Sequence, residues 1–256
     1  VVAAPAAYRE QIDRLNLQVG CVVARQPMKD ASGASQMDAR TQVSSLHGVR
    51  VLDAAAMSFE ANVSLALLHE PGGENDHRLI AAAIAAHVNL HGRPELAAAQ
   101  ASRDAGNAPN AALAAALAIV GPRRQLRARA ALRQMIDAFR AAGLDADPAG
   151  ALSSAFDVRR VAGIDTAALR AEQPDEIAMR LLAAVEGRGA QSVFVRWLRQ
   201  LDGHASGEAV LAALGATLAW GPLMRKRISL LTAESLPWWL QLAGTLIGAS
   251  AEASRH

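Results

Sequence analysis

The chain has 256 residues, a formal net charge of +2 and 52% apolar residues, but only 4% aromatic ones. Acidic and basic side chains are interspersed, and no basic stripe carries the stacking aromatics of a nucleic-acid surface, so we exclude nucleic acid as a partner. The single cysteine, Cys21, excludes a disulfide within the chain and fits a reducing compartment. Ala supplies most of the apolar excess, which favours closely packed helices because Ala is the best helix former.

The first part of the chain, residues 1–45, is predicted to be an irregular N-terminal arm. Apolar residues at helical spacing predict one short helix over 5–17, and short strands are expected near 19–24 and 43–51. The segment 26–43 is rich in Ser, Asp, Gln and Gly, a composition typical of a loop or an extended arm.

From Asp53 onward the helical periodicity is continuous, and we interpret Asp53 as the N-cap of a helix that Pro71-Gly72-Gly73 ends. Asn110 is interpreted as the N-cap of a later helix. The further helices are predicted over 76–90, from about 95, over 111–120, 123–142, 165–171, 174–187, 189–202, 207–218, 220–228 and 233–250. No segment alternates as a long strand would, so the predicted fold class is all-α.

Nothing in the sequence indicates a membrane protein. The apolar stretch over 236–251 contains Gln241 and is shorter than the ~20 residues that span a bilayer. The N-terminal residues lack the basic and apolar blocks of a signal peptide. We therefore expect a soluble, cytoplasmic protein that does not bind a membrane.

Several consecutive segments resemble the citrate synthases and, more closely, the citryl-CoA lyases. A helix here ends in Asn89-Leu90-His91-Gly92, where that family has an Ala-Asp-His-Gly or Ala-Glu-His-Gly turn. A helix of small residues over 111–121 follows, as in the family. Residues 51–68 take the place of the preceding helix pair, and 211–251 have the spacing of the two closing helices. The resemblance covers roughly residues 45–250, and the order of the segments carries it.

The resemblance implies a citrate synthase-like large helical domain with a smaller helical domain. The large domain would comprise 46–150 and 207–256, and the smaller one 151–206. The resemblance also implies a homodimer and chemistry that makes or breaks a carbon–carbon bond. The substrate would be a CoA thioester, and no cofactor would be covalently bound. We expect no metal site, because His87 and His91 lie four residues apart without a clear third ligand.

The residues that carry the family's catalysis are altered here. Arg159, in Val158-Arg159-Arg160-Val161, stands where the family has the His of Gly-His-Arg-Val. The segment 211–216, near the family's catalytic Asp, has no carboxylate, and Glu208 and Asp202 are the nearest ones. Arg stays protonated and cannot shuttle a proton, but its guanidinium binds carboxylates and phosphates.

The resemblance therefore implies that His91, Arg159 and Arg160 bind substrate, either a polycarboxylate or an acyl-CoA. Catalysis would be altered or weak, and we assign no catalytic residue. Two alternatives stay open. One is a non-catalytic paralogue that acts as a binding or regulatory subunit. The other is an unrelated helical scaffold domain.

Overall fold

A computed structural model of the chain describes residues 34–38, 40–121, 125–144 and 156–254. Its contacts divide the chain into two compact units, Val1–Ala56 and Met57–His256. The helix predicted over 5–17, the strand predicted near 19–24 and Cys21 lie outside the described residues. The predicted division of the helical part into a large and a smaller domain stays a prediction.

The described part of the first unit is a small antiparallel sheet followed by one helical turn. Strand β1 is Ser35–Met37, β2 is Ser44–Leu46, β3 is Val49–Arg50, and helix α1 is Val51–Ala55. His47 and Gly48 connect β2 to β3, and both have positive φ angles, as a two-residue hairpin turn requires. The strand prediction near 43–51 is thus confirmed.

Asp53 is not a helix N-cap, so that prediction is wrong. It lies inside α1, and its carboxylate accepts a hydrogen bond from Arg50 Nε at 2.7 Å. The next helix begins at Phe59, where the hydroxyl of Ser58 accepts a hydrogen bond from the backbone N–H of Ala61. A serine hydroxyl serves as a cap as well as a carboxylate does, so residue type alone does not favour Asp53 over Ser58.

The second unit contains nine helices among its described residues. They are α2 (Phe59–Leu68), α3 (Glu74–Val88), α4 (Pro94–Asp104), α5 (Pro109–Ile119), α6 (Leu126–Ala141), α7 (Glu176–Gly187), α8 (Val193–Leu198), α9 (Gly207–Met224) and α10 (Leu230–Ala253). Two short strands, β4 (Arg170–Ala171) and β5 (His204–Ala205), pair antiparallel. The described part of the chain is therefore mostly helical, and the all-α prediction is confirmed.

Helix α9 is the centre of the second unit. Residues 209–220 are all buried, and α9 packs against α6, α7, α8 and α10. Phe194 of α8 lies between two other aromatic rings, with its ring centre 4.4 Å from that of Phe139 and 5.6 Å from that of Trp220, which belongs to α9. Among the described residues α9 is the one helix long and apolar enough to cross a membrane, and 78% of it is buried in the protein, which is typical of a core helix.

Three local predictions about the helices are corrected by the structure. The predicted helices 207–218 and 220–228 are replaced by the single helix α9, which ends at Met224, because Pro222 removes only one helical hydrogen bond from a segment that is otherwise buried. Residues 165–171 contain a short 3₁₀ turn and strand β4, because Asp165 Oδ1 accepts a hydrogen bond from Ala167 N and competes with a helix. Helix α5 begins at Pro109 after Ala108, so Asn110 is not its N-cap.

Helices α3 and α10 approach each other closely enough to require glycine. A Cβ atom on Gly248 would lie 2.0 Å from the carbonyl oxygen of Val88. A Cβ atom on Gly244 would lie 2.6 Å from the carbonyl oxygen of Ile84. This contact brings the C-terminal end of α3 against the C-terminal half of α10.

Candidate ligand-binding cleft

The second unit contains a cleft of about 620 Å³ at which the N-terminal ends of four helices meet the C-terminal end of α3. Arg93 precedes α4, Gln125 precedes α6, Asp175 precedes α7, and Gly207 begins α9; all four residues line the cleft. The N-terminal end of a helix carries a partial positive charge. At α7 and α9 the carboxylate of Asp175 already occupies this position, and the ends of α4 and α6 add their positive charge to the cleft, which favours an anionic ligand.

His87, in the last turn of α3, is a buried histidine on the wall of this cleft. Its exposed fraction is 3%, and its Nδ1 lies 2.8 Å from the carbonyl oxygen of Ala83. A carbonyl oxygen only accepts, so Nδ1 carries the proton, and Nε2 of the neutral ring is an acceptor. The pKa of His87 is lowered to about 4, mainly by burial; the hydrogen bond to Ala83 opposes this shift, the charge of Arg93 acts in the same direction, and the charge of Glu95 opposes it. The ring is therefore neutral at pH 7.

His91 also lines the cleft, as part of the turn after α3. Its backbone N–H donates to Asn89 Oδ1 at 2.9 Å, and Gly92 next to it has a φ of 72°, which favours glycine. His91 is exposed. Of the three residues for which the sequence predicted substrate binding, it is the one that lines this cleft.

Arg159 and Arg160 lie elsewhere, in the short 3₁₀ helix Val158–Arg160. Both are exposed, and neither lines the cleft. Arg160 Nε lies 4.0 Å from a carboxylate oxygen of Asp157. The structure thus does not bring these two arginines together with His91 around the cleft.

Arg93 is a cation of the cleft that the sequence did not single out. Its side chain is 16% exposed, and its Nη2 lies 3.3 Å from Oε1 of Glu95, whose side chain is fully buried. Arg93 Nη1 is buried and has no hydrogen-bond partner among the described residues. A buried guanidinium nitrogen without a partner is unfavourable, which is a reason to expect that a ligand completes this group.

Two glutamines complete the polar wall of the cleft. Gln125 is 6% exposed and Gln241 is 4% exposed. The amide oxygen of each is buried, without a partner in the part of the chain that the structure describes. The signal for Gln241 was present in the sequence, as the largest polar side chain within the apolar stretch 236–251. No comparable signal marked Gln125.

The carboxylates of the cleft have different roles. Both oxygens of the Asp175 carboxylate accept hydrogen bonds from backbone N–H groups. Oδ1 accepts from Ile177 and Ala178, and Oδ2 accepts from Gly207. Glu176 forms an ion pair with Arg180 one turn later. Glu208 lines the cleft, whereas Asp202, the other carboxylate near the expected catalytic Asp, does not. Among the described residues no group of three or more His, Cys, Asp or Glu side chains is arranged to hold a metal ion.

Comparisons of the chain with models of known protein families, with curated proteins and with solved structures give no match. The resemblance to the citrate synthase group therefore depends on the order of the sequence segments alone.

Proposed function

We propose that the cleft binds a small polycarboxylate, or the acyl end of a CoA thioester, in a citrate synthase-like protein whose carbon–carbon chemistry is altered or weak. The observation that carries this proposal is the buried Nη1 of Arg93, which has no partner among the described residues. Arg93 lines a cleft around which four helix N-terminal ends converge. Both features stabilise a carboxylate.

In this proposal Arg93 has the role for which the sequence suggested Arg159 and Arg160. A ligand carboxylate beside Arg93 would supply the acceptor that Nη1 lacks, while Nη2 keeps its contact with Glu95. His91 and Arg180 line the same cleft and would contact the rest of the ligand. A cytoplasmic location is part of the proposal and rests on the sequence alone.

Altered enzymatic chemistry is the second candidate function, and Glu208 supports it. His87 cannot donate a hydrogen bond to a developing oxyanion, because its one proton is held by the Ala83 carbonyl. A carboxylate that removes a proton and a ring that donates one are the minimum for enolate chemistry. Glu208 and His91 line the same cleft and are the side chains that could take these roles.

The homodimer expected from the resemblance remains a proposal, and the surface of α10 supports it. Trp239, Leu246 and Ile247 are apolar and exposed on this helix. Light scattering on the whole chain tests it, with Leu246→Asp as the variant. A dimer that the variant converts to a monomer is the expected result, and a monomeric wild-type chain contradicts it.

The binding proposal is tested by thermal unfolding and calorimetric titration with citrate, oxaloacetate, CoA and acetyl-CoA. A ligand at a hundredfold excess over its Kd stabilises the native state by about 2.7 kcal/mol, which raises the Tm of a chain of this size by about 5–10 °C. The absence of a shift with all four ligands contradicts the proposal.

The enzymatic candidate is tested by assaying citrate and citryl-CoA formation and cleavage. If the protein is an enzyme, Glu208→Gln should abolish the activity while leaving the Kd for citrate within about threefold of wild type, because the variant removes the base and keeps the shape of the side chain. Binding of citrate without turnover by the wild-type protein favours the non-catalytic paralogue instead.

A further inference from the structure

The wall of the cleft has more hydrogen-bond acceptors than an anionic ligand alone would need. Gln125 and Gln241 each have a buried amide oxygen that lacks a partner among the described residues. His87 adds Nε2, an acceptor in the neutral ring, because its proton is on Nδ1. These side chains come from α3, from the start of α6 and from α10, so the fold brings them to one place.

A carboxylate cannot satisfy these oxygens, because it only accepts hydrogen bonds. Burying an amide oxygen without a donor is unfavourable. Both oxygens have almost no exposed surface, so each must turn about the soft final torsion of its side chain to reach a ligand in the cleft. Glu208, which also lines the cleft, adds a further acceptor. The missing partner is thus a donor, and a ligand in the cleft can supply it.

We propose that the ligand of this cleft carries a hydrogen-bond donor, a hydroxyl or an ammonium group, next to the carboxylate that Arg93 binds, and that Gln125 and Gln241 accept from this donor. The inference rests on the proposed function, since it adds a selectivity to the same site. It makes the two glutamines the residues that distinguish hydroxy- or aminocarboxylates from carboxylates without such a group.

The experiment is a calorimetric comparison of malate, aspartate and succinate. These four-carbon dicarboxylates differ only at C2, which carries a hydroxyl group, an ammonium group or hydrogen. Citrate and tricarballylate form a second pair that differs by one hydroxyl group. We expect malate or aspartate to bind at least about tenfold more tightly than succinate, because the wall would otherwise keep its acceptors unpaired. Which of the two binds more tightly identifies the donor.

Variants assign the selectivity to the glutamines. Gln125→Leu and Gln241→Leu should each reduce the preference over succinate to about threefold or less, while succinate itself binds as in wild type. Gln200→Leu, at an exposed position that does not line the cleft, is the matched control and should leave the preference unchanged. Unchanged binding of succinate also reports that a variant is folded.

Three results overturn the proposal or its basis, and they can be told apart. Equal affinity for malate, aspartate and succinate, together with equal affinity for citrate and tricarballylate, overturns the inference and leaves the proposed function intact. A preference that survives in both glutamine variants overturns the assignment to Gln125 and Gln241. No binding of any carboxylate overturns the proposed function itself. The comparison on the wild-type protein does not depend on whether a variant folds.

Discussion

The carboxylate of Asp175 accepts a hydrogen bond from the backbone N–H of Gly207, with 2.8 Å between the two atoms. The other oxygen of the same carboxylate accepts from Ile177 and Ala178 in the first turn of α7. One side chain therefore satisfies N–H groups at the beginning of both α7 and α9. Both helices begin at the cleft, so this contact fixes two sides of the proposed site.

Replacing Asp175 should cost more stability than the loss of an ordinary helix cap. Asp175→Ala removes acceptors from three backbone N–H groups, and we expect the free energy of unfolding to fall by about 2–3 kcal/mol. Ser206 is the matched control, because its hydroxyl caps only α9. Ser206→Ala should cost about 1 kcal/mol. Urea unfolding measures both, and equal losses would show that the bridge to Gly207 contributes nothing.

The contact between α3 and α10 should not tolerate a methyl group. In Gly248→Ala the new Cβ would meet the carbonyl oxygen of Val88 at 2.0 Å, so the two backbones must separate. We expect a loss of about 3 kcal/mol or more in the free energy of unfolding, because overpacking at a backbone contact cannot be relieved by a side-chain rotation. Denaturant unfolding of the variant measures this loss.

Gly221 offers the control for this substitution. It also lies within a helix, but the atoms nearest to an added Cβ belong to the flexible guanidinium of Arg225, at 3.1 Å. Gly221→Ala should stay within about 1 kcal/mol of wild type, since alanine also favours the helix. If both variants lose the same stability, the loss reflects replacement of a helical glycine and not the contact between α3 and α10.

The buried neutral His87 should make the protein less stable as the pH falls. Its pKa is about 4 in the folded protein and about 6.5 in the unfolded chain, so the unfolded state takes up the proton first. The full contribution is present above pH 6.5 and is lost progressively as the pH falls to about 4. The pKa difference corresponds to a change of about 3 kcal/mol in the free energy of unfolding.

His87→Asn tests this dependence, because its amide N–H can still donate to the carbonyl of Ala83. Urea unfolding of both proteins at several pH values between 4 and 8 should show a shallower decrease in the variant. At pH 8 His87 is neutral in both the folded and the unfolded protein. The difference in the free energy of unfolding between wild type and variant should therefore reflect packing alone. An identical pH dependence in the two proteins would mean that His87 does not contribute to it.

Arg93 should matter for ligand binding, and Arg159 should not. Arg93→Lys keeps the positive charge beside Glu95 but removes the second nitrogen of the fork, so we expect about a tenfold weaker Kd for citrate. Arg159→Lys, at an exposed position outside the cleft, is the matched control and should bind as wild type does. Calorimetric titration measures both. Weaker citrate binding by the Arg159 variant alone would contradict the role of Arg93 and support Arg159 as the substrate-binding residue, as the sequence suggested.

Much of the secondary structure could be predicted from the sequence, because helix formation depends on nearby residues. Periodic apolar positions predicted α3 and α7, and Gly92 marked the turn after α3. The errors occurred where the deciding contact was elsewhere in the chain or where two local signals competed. Residues 170–171 join a sheet because β5, far along the chain, pairs with them. The break predicted between 207–218 and 220–228 does not occur, because α9 is buried along this part of its length.

For the candidate site, too, local patterns predicted one part and contacts between distant residues decided the rest. The helical character of the chain and the tight turn at His91 were predictable from the sequence, since both follow from short-range patterns. The cleft that His91 shares with Arg93, Gln125 and Gln241, and the position of Arg159 outside it, emerge only when distant helices pack together. The physical reason is burial: whether a polar atom has a partner depends on which distant helices cover it, and no local pattern records that. The close approach at Gly244 and Gly248 is such a long-range condition.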